Sequence, residues 1–187
     1  GLTIIIAVLA SIYLIYKGGT PIAIIAAVSL AAAFLYTAGP APLGYLGLGE
    51  VFVIIFFGPV AVAGTYYVQS LELNHAVIWA GVAPGFLSAA VLAVNNIRDY
   101  ETDKAANKRT LVVQFGRSFG YTEYLFLILG ASLIPIVIYF FTQDHLMSFI
   151  ACSISLWAIP LIKTVLTATD GPSFNHALAD TAKLLMI

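Results

Sequence analysis

Asn95, Asp99 and Asp103 stand four residues apart in the stretch Asn95-Asn-Ile-Arg-Asp-Tyr-Glu-Thr-Asp-Lys-Ala-Ala-Asn-Lys-Arg-Thr110, with Arg98, Lys104, Lys108 and Arg109 among them. The stretch contains neither proline nor glycine. A helix entering it can therefore run on through Asp103, each of the three polar residues rising about 6 Å above the last on one face. Two carboxylates that close repel unless a cation joins them. Magnesium suits the arrangement, because one or two carboxylates hold it while substrate phosphates complete its shell. Zinc does not, since the stretch offers neither His nor Cys. The bases would meet phosphate oxygens directly, Arg as a planar fork and Lys as a point charge. A metal and diphosphate site is one reading. The other is a wet connection whose bases serve only topology.

The elements that must position these residues are apolar. Of 187 residues 61% are hydrophobic and 9% charged, against roughly 25% charged in soluble domains. Apolar segments at 2–16, 21–36, 51–68, 76–94, 121–141, 146–166 and 177–187 reach or approach the ~20 residues that cross a bilayer. Backbone in lipid must satisfy its own hydrogen bonds, and the alternation of a barrel strand is absent, so the segments are helices. The expected fold is an all-α, polytopic transmembrane bundle of six complete spans and an unfinished seventh, in a single domain over 1–187. The breaks are 17–21, 37–44, 69–75, 143–145, 169–175 and the charged segment 95–117. Small residues such as Ala61, Gly64 and Ala90 let helices approach closely, and Pro59, Pro84, Pro135 and Pro160 should kink or break theirs.

Charge and cysteine content narrow the function. A net charge of −1 gives no basic face for nucleic acid. Cys152 is the one cysteine, so no intrachain disulfide forms. Five of the eight Lys and Arg lie in 95–117, which places that connection in the cytoplasm. Alternation then puts 37–50 and 169–175 on the same side. The chain opens at Gly1 without a basic leader and stops inside an apolar stretch, and it reads as a fragment.

The stretch from Asn95 to Asp103, followed by Lys104 and by Lys108-Arg-Thr-Leu111, resembles the second aspartate-rich motif of UbiA-type intramembrane prenyltransferases. Its Asn-Asn-x-Arg-Asp form is most similar to the branch that prenylates 1,4-dihydroxy-2-naphthoate in menaquinone synthesis. Tyr36-Thr-Ala-Gly-Pro-Ala-Pro-Leu-Gly-Tyr-Leu-Gly-Leu-Gly-Glu50 resembles the loop after that branch's fourth helix. The resemblance implies a nine-helix enzyme of the plasma membrane in which two aspartate-rich motifs bind magnesium and a polyprenyl diphosphate. It implies transfer of the prenyl group to an aromatic acceptor, giving demethylmenaquinone with loss of CO2 and diphosphate. The first motif, Asn-Asp-x-x-Asp-x-x-x-Asp, is absent. If 2–16 matches the third helix, the chain covers helices three to eight and the start of nine, and is expected to be inactive without the two preceding helices.

Asp99 and Asp103 are then the metal ligands and catalytic acids, Asn95 a further ligand, and Arg98, Lys104, Lys108 and Arg109 the diphosphate contacts. Asn96, rotated about 100° from Asn95, is a weaker substrate contact. Tyr36 and Tyr45 fall on the same membrane face by alternation. The resemblance raises Tyr36 as a catalytic group beside the diphosphate or the cation, and Tyr45 as a substrate contact. Glu50 reads as a helix N-terminal charge ahead of an aromatic-substrate contact. His75, His145 and His176 lie too far apart to form a metal cluster. A CDP-alcohol phosphotransferase would need an Asp-Gly and Ala-Arg signature that does not precede Asp99. A transporter would gather ionisable groups near the midplane rather than at one rim. Other acceptors, such as 4-hydroxybenzoate, stay open.

Overall fold

The computed structural model of the chain describes residues 2–38, 42–144 and 146–186. Gly39, Pro40 and Ala41 of the tyrosine-rich loop, and His145, lie outside the described residues. The described chain is helical throughout, without a strand: α1 Leu2–Thr37, α2 Gly49–Ile55, α3 Ala61–Ser70, α4 His75–Arg98, α5 Tyr100–Ala105, α6 Leu111–Phe115, α7 Arg117–Thr142, α8 Ile154–Thr167 and α9 Gly171–Leu184. Short 3₁₀ turns at Leu43–Tyr45 and Leu146–Ser153 precede α2 and α8. Five helical stretches are long and apolar enough to cross a membrane, Leu2–Thr37, Gly49–Ser70, His75–Arg98, Arg117–Thr142 and Ser148–Thr167. The protein is a multi-pass, all-α membrane bundle.

The first two apolar segments are the two limbs of α1, which part at Gly19 within the expected break 17–21, where φ of 66° lies in the left-handed region that glycine enters without a Cβ clash. The span Gly49–Ser70 holds a π-helical turn, Phe56–Val60, because Pro59 lacks an N–H and Gly58 leaves helical geometry. Pro84, Pro135 and Pro160 instead lie inside helices that run through them unbroken. The last connection is shorter than 169–175, since Asp170 caps Ser173 N–H at 2.8 Å and starts α9 at once. α9 has 14 residues and is not among the helices long enough to span.

α4 is the central helix. Ala89, Ala90, Ala93, Val94 and Ile97 are fully buried and pack with Tyr124, Leu127 and Ile128 of α7 and Ala177 of α9. α4 and α7 run antiparallel, with Phe86 tilted against Phe126 and Trp79 stacked on Phe141. The Tyr124 hydroxyl meets Thr181 Oγ1 at 3.0 Å, and Thr181 donates to Ala177 O, so the buried hydroxyls of the α7 and α9 contact are satisfied. Leu2, Ile5, Leu9, Phe126, Leu133 and Trp157 are among the large apolar side chains left facing outward, as lipid requires.

The tightest crossing is backbone on backbone. A Cβ on Gly85 of α4 would stand 2.5 Å from Ile54 O and 3.1 Å from Gly58 Cα. Helices without a hydrophobic drive between them gain from such close approach. Gly85→Ala should force α2 away from α4 and lower stability by about 1–3 kcal/mol, read as a lower thermal midpoint of the detergent-solubilised protein followed by tryptophan fluorescence. An unchanged midpoint would show that the crossing has slack.

Candidate functional site

The helix carrying the aspartates does not run unbroken through Asp103. α4 ends at Arg98, Asp99 adopts φ −89° and ψ 9°, and α5 begins at Tyr100. The cause is a pair at adjacent positions, which do not face one another on a straight helix. Arg98 Nε donates to Asp99 Oδ1 at 2.7 Å and Nη2 to Asp99 Oδ2 at 2.9 Å. The i→i+4 ladder survives the break, with Asp99 N–H on Asn95 O at 3.0 Å and Asp103 N–H on Asp99 O at 2.8 Å. The spacing that marked Asn95, Asp99 and Asp103 therefore persists at a bend.

Arg98 organises this face. Besides Asp99 it donates from Nη2 to Asn95 Oδ1 and from Nη1 to Asn175 Oδ1, both at 2.8 Å, while Asn95 Nδ2 reaches Asp99 Oδ2 at 3.3 Å. Asp103 is buried and takes Lys108 Nζ at 2.9 Å. Asn107, at φ 55°, reverses the chain after α5 so that Lys108 can fold back, an Asn at a left-handed position that ends a helix. Each carboxylate is thus paired with its own base.

The second motif closes over the first. Arg109 N–H donates to Tyr45 O at 2.9 Å, and Gln114 Nε2 to Arg109 O at 2.7 Å, locking 43–48 onto the turn after α5. The Tyr36 ring lies against Gly44, and its hydroxyl would stand 3.1 Å from a Cβ on Gly49. Lys108 is close enough to interact electrostatically with Tyr36, Glu50 and Asp99. With Asn175 on Arg98 and Tyr45 on Arg109, connections 37–50, 95–117 and 169–175 meet at one end of the bundle, as alternation required.

Three expected contacts lie elsewhere. Lys104 turns away from the aspartates, its Nζ 5.8 Å from the Tyr100 ring, which Arg117 also approaches at 5.1 Å. Arg109 is exposed and anchored through its backbone. The Tyr45 ring is 45% exposed, and the loop uses its carbonyl rather than its hydroxyl. The paired asparagines diverge: Asn95 faces Arg98, whereas Asn96 is buried and donates to Glu50 Oε1 at 2.6 Å. Glu50 does begin α2, yet it is 4% exposed and turned inward.

Asn175 and Glu123 carried no sequence signal beyond a polar residue at a run end and an acid inside a span. Among the described residues no three His, Cys, Asp or Glu side chains converge as a metal cage. The hard oxygens of Asp99, Asp103 and Asn95 instead fit a divalent cation that shares its shell with a phosphate ligand.

Directly below Asn95 an apolar groove of 390 Å³ opens between α2, α4 and α9, lined by Val53, Phe57, Leu92, Asn95, Leu178 and Leu185 among others. A larger groove, 890 Å³, lies between the two limbs of α1 and the Phe56–Gln69 stretch, without an ionisable group in its lining. The smaller one adjoins the charged face at Asn95.

The sequence model of the UbiA prenyltransferase family matches residues 1–177. A 1,4-dihydroxy-2-naphthoate octaprenyltransferase of Mycobacterium tuberculosis is 35% identical over 163 residues, 87% of this chain and 55% of that protein. An Escherichia coli protein of the same name is 40% identical over 108 residues, 58% of this chain and 35% of its own length. The mouse UbiA prenyltransferase domain-containing protein 1 is 32% identical over 179 residues, 93% of this chain and 47% of the relative. The chain spans about half the length of the mycobacterial and mouse relatives.

The Asp99 carboxyl is held below its ordinary 3.8, first by the hydrogen bonds from Arg98, against burial, and then by the charges of Arg98 and Lys108 and the Asn95 amide. A depressed carboxyl contributes stability that is fully present above its unfolded value and is lost as pH falls through the folded value. The thermal midpoint should therefore drop as pH goes below about 4, and Arg98→Gln should flatten that part of the profile. Parallel profiles for the two proteins would refute the pairing.

Proposed function

The chain belongs to the UbiA prenyltransferase family, and on that premise we propose that it forms the greater part of a transmembrane domain that transfers a polyprenyl group from polyprenyl diphosphate to 1,4-dihydroxy-2-naphthoate. The observation that carries this reading is the apolar groove that begins at Asn95, directly beneath a rim of paired acids and bases. A ligand with a long apolar tail and a polyanionic head matches that division. The names of the mycobacterial and Escherichia coli relatives support the choice of acceptor. Residues 1–187 are part of that single domain, in the plasma membrane, with 95–117 in the cytoplasm.

The charged face suits exchange. Two carboxylates, Asp99 and Asp103, are neutralised by two bases, Arg98 and Lys108, so the acids do not repel one another before substrate arrives. Asp99, Asp103 and Asn95 would hold magnesium, which would supply charge neutralisation of the departing diphosphate. Arg98 and Lys108, freed from the acids, would meet the phosphate oxygens and add to it. Lys104 and Arg109, both exposed, contribute attraction at longer range. Tyr36, held over Gly44 and Gly49, presents its ring to the cation-like allylic carbon. In this reading Asn96 and Glu50 serve the acceptor, and Tyr45 holds its loop through the backbone carbonyl.

The bond between the allylic carbon and the diphosphate oxygen breaks with its electrons on the diphosphate. The ring carbon bearing the carboxylate makes the new bond, and the carboxylate leaves as CO2, its bonding electrons restoring the ring; both hydroxyls remain, so the product is the quinol form of demethylmenaquinone. The surrounding apolar helices keep water from the carbocation.

In the natural full-length protein, Asp99→Ala and Asp103→Ala should each abolish magnesium-dependent transfer to dihydroxynaphthoate while the protein still inserts and elutes as wild type. Normal turnover by either variant would overturn the site. Preference for 4-hydroxybenzoate by the wild type would overturn the acceptor.

A further inference from the structure

Glu50, Asn96 and Glu123 form a second polar cluster, inside the bundle rather than on its charged rim. Asn96 is 2% exposed and Glu50 4%. Asn96 Nδ2 donates to Glu50 Oε1 at 2.6 Å, which fixes the amide's orientation and leaves Asn96 Oδ1 buried with no partner. Glu123 Oε2, on α7, is likewise buried without a partner, and Glu50 is its electrostatic neighbour. Two orphan acceptors beside a buried acid are costly in a low-dielectric interior unless something brings donors to them.

Two members of the cluster, Glu50 and Asn96, lie within one helical turn of residues that line the groove beneath Asn95. Glu50 lies one turn above Val53, which lines the groove beneath Asn95. The Tyr36 hydroxyl stands over the neighbouring Gly49, and Lys108 interacts electrostatically with both Glu50 and Tyr36. The acids on the rim are ion-paired with bases, whereas Glu50 holds a buried amide and Glu123 Oε2 has no partner. A polyanionic headgroup is repelled there. An aromatic ligand that turns its hydroxyl donors toward these oxygens fits.

We propose that Glu50, Asn96 and Glu123 form the socket that receives the hydroxyl groups of the aromatic co-substrate, Asn96 Oδ1 and Glu123 Oε2 accepting their hydrogen bonds. The inference rests on the aromatic-acceptor reading above and adds a place for that acceptor. It divides the adjacent asparagines by task, Asn95 serving the prenyl diphosphate and Asn96 the acceptor.

The test is equilibrium binding to the natural full-length protein in detergent, using 1,4-dihydroxy-2-naphthoate, 1-hydroxy-2-naphthoate, which lacks one hydroxyl, and magnesium polyprenyl diphosphate. Glu123→Gln and Glu50→Gln keep the side-chain shape, and if one fails to fold the other carries the same comparison. Each should weaken dihydroxynaphthoate about tenfold, the scale of one lost hydrogen bond to a charged group. In each, the affinity gap between the two naphthoates should shrink, while polyprenyl diphosphate binding stays within about twofold of wild type. A gap that persists, as when an ordered water rather than the acceptor satisfies these atoms, overturns the socket. So does equal weakening of both substrates. A wild type that binds polyprenyl diphosphate but neither naphthoate overturns the acceptor reading itself, and the socket with it.

Discussion

The guanidinium of Arg98 joins three separate parts of the chain at this end of the bundle. It grips both oxygens of Asp99, reaches back to Asn95 within α4 and reaches across to Asn175 at the start of α9. A charge at the end of a membrane helix must be paired or hydrated, and here pairing is achieved with the residues that define the functional face. The departure from helical geometry coincides with the pairing at Asp99. Arg98 also adds a polar tie to the core packing of α9 beside α4, and α9 forms one wall of the groove below Asn95.

Beneath that hub, α4 carries three kinds of surface. One side is alanine and branched aliphatic, fully buried against α7 and α9. Another is glycine, allowing the backbone of the Gly49–Ser70 span to cross at van der Waals distance. The third ends in the two asparagines, which lie about 100° apart on the helix and face different partners. Two chemically distinct environments, a rim of balanced charge and a buried acid and amide cluster, are thereby held next to each other by a single rigid element. Two substrates of opposite character, one polyanionic and one rich in hydroxyls, need such adjacency to meet without either site accepting the wrong partner.

The family and the face of the helix that matters were readable from residue types and spacing. Asn95, Asp99 and Asp103 recur at four residues, and the backbone ladder keeps that recurrence even through the bend. The bend itself was not readable, because it depends on whether Arg98 turns toward its neighbour or toward solvent. Lys104 and Lys108 look alike in sequence. A left-handed Asn107 sends Lys108 back to Asp103, whereas Lys104 one helical turn after Tyr100 settles over that ring. Tyr45 was placed on the right face, yet the fold uses its backbone carbonyl.

Composition and apolar run length by themselves determined that the chain is an all-α bundle in lipid, since hydrocarbon admits few other ways to satisfy a backbone. Spacing determined which residues belong to the charged rim. Tertiary structure decided what pairs with what. Glu123 is one acid in an apolar span until α7 packs beside α4 and brings it near Glu50, and Asn175 is one polar residue in a connection until α9 docks on Arg98. Such contacts, Arg98 with Asn175 77 positions away among them, depend on helix packing, which local propensity and periodicity do not encode.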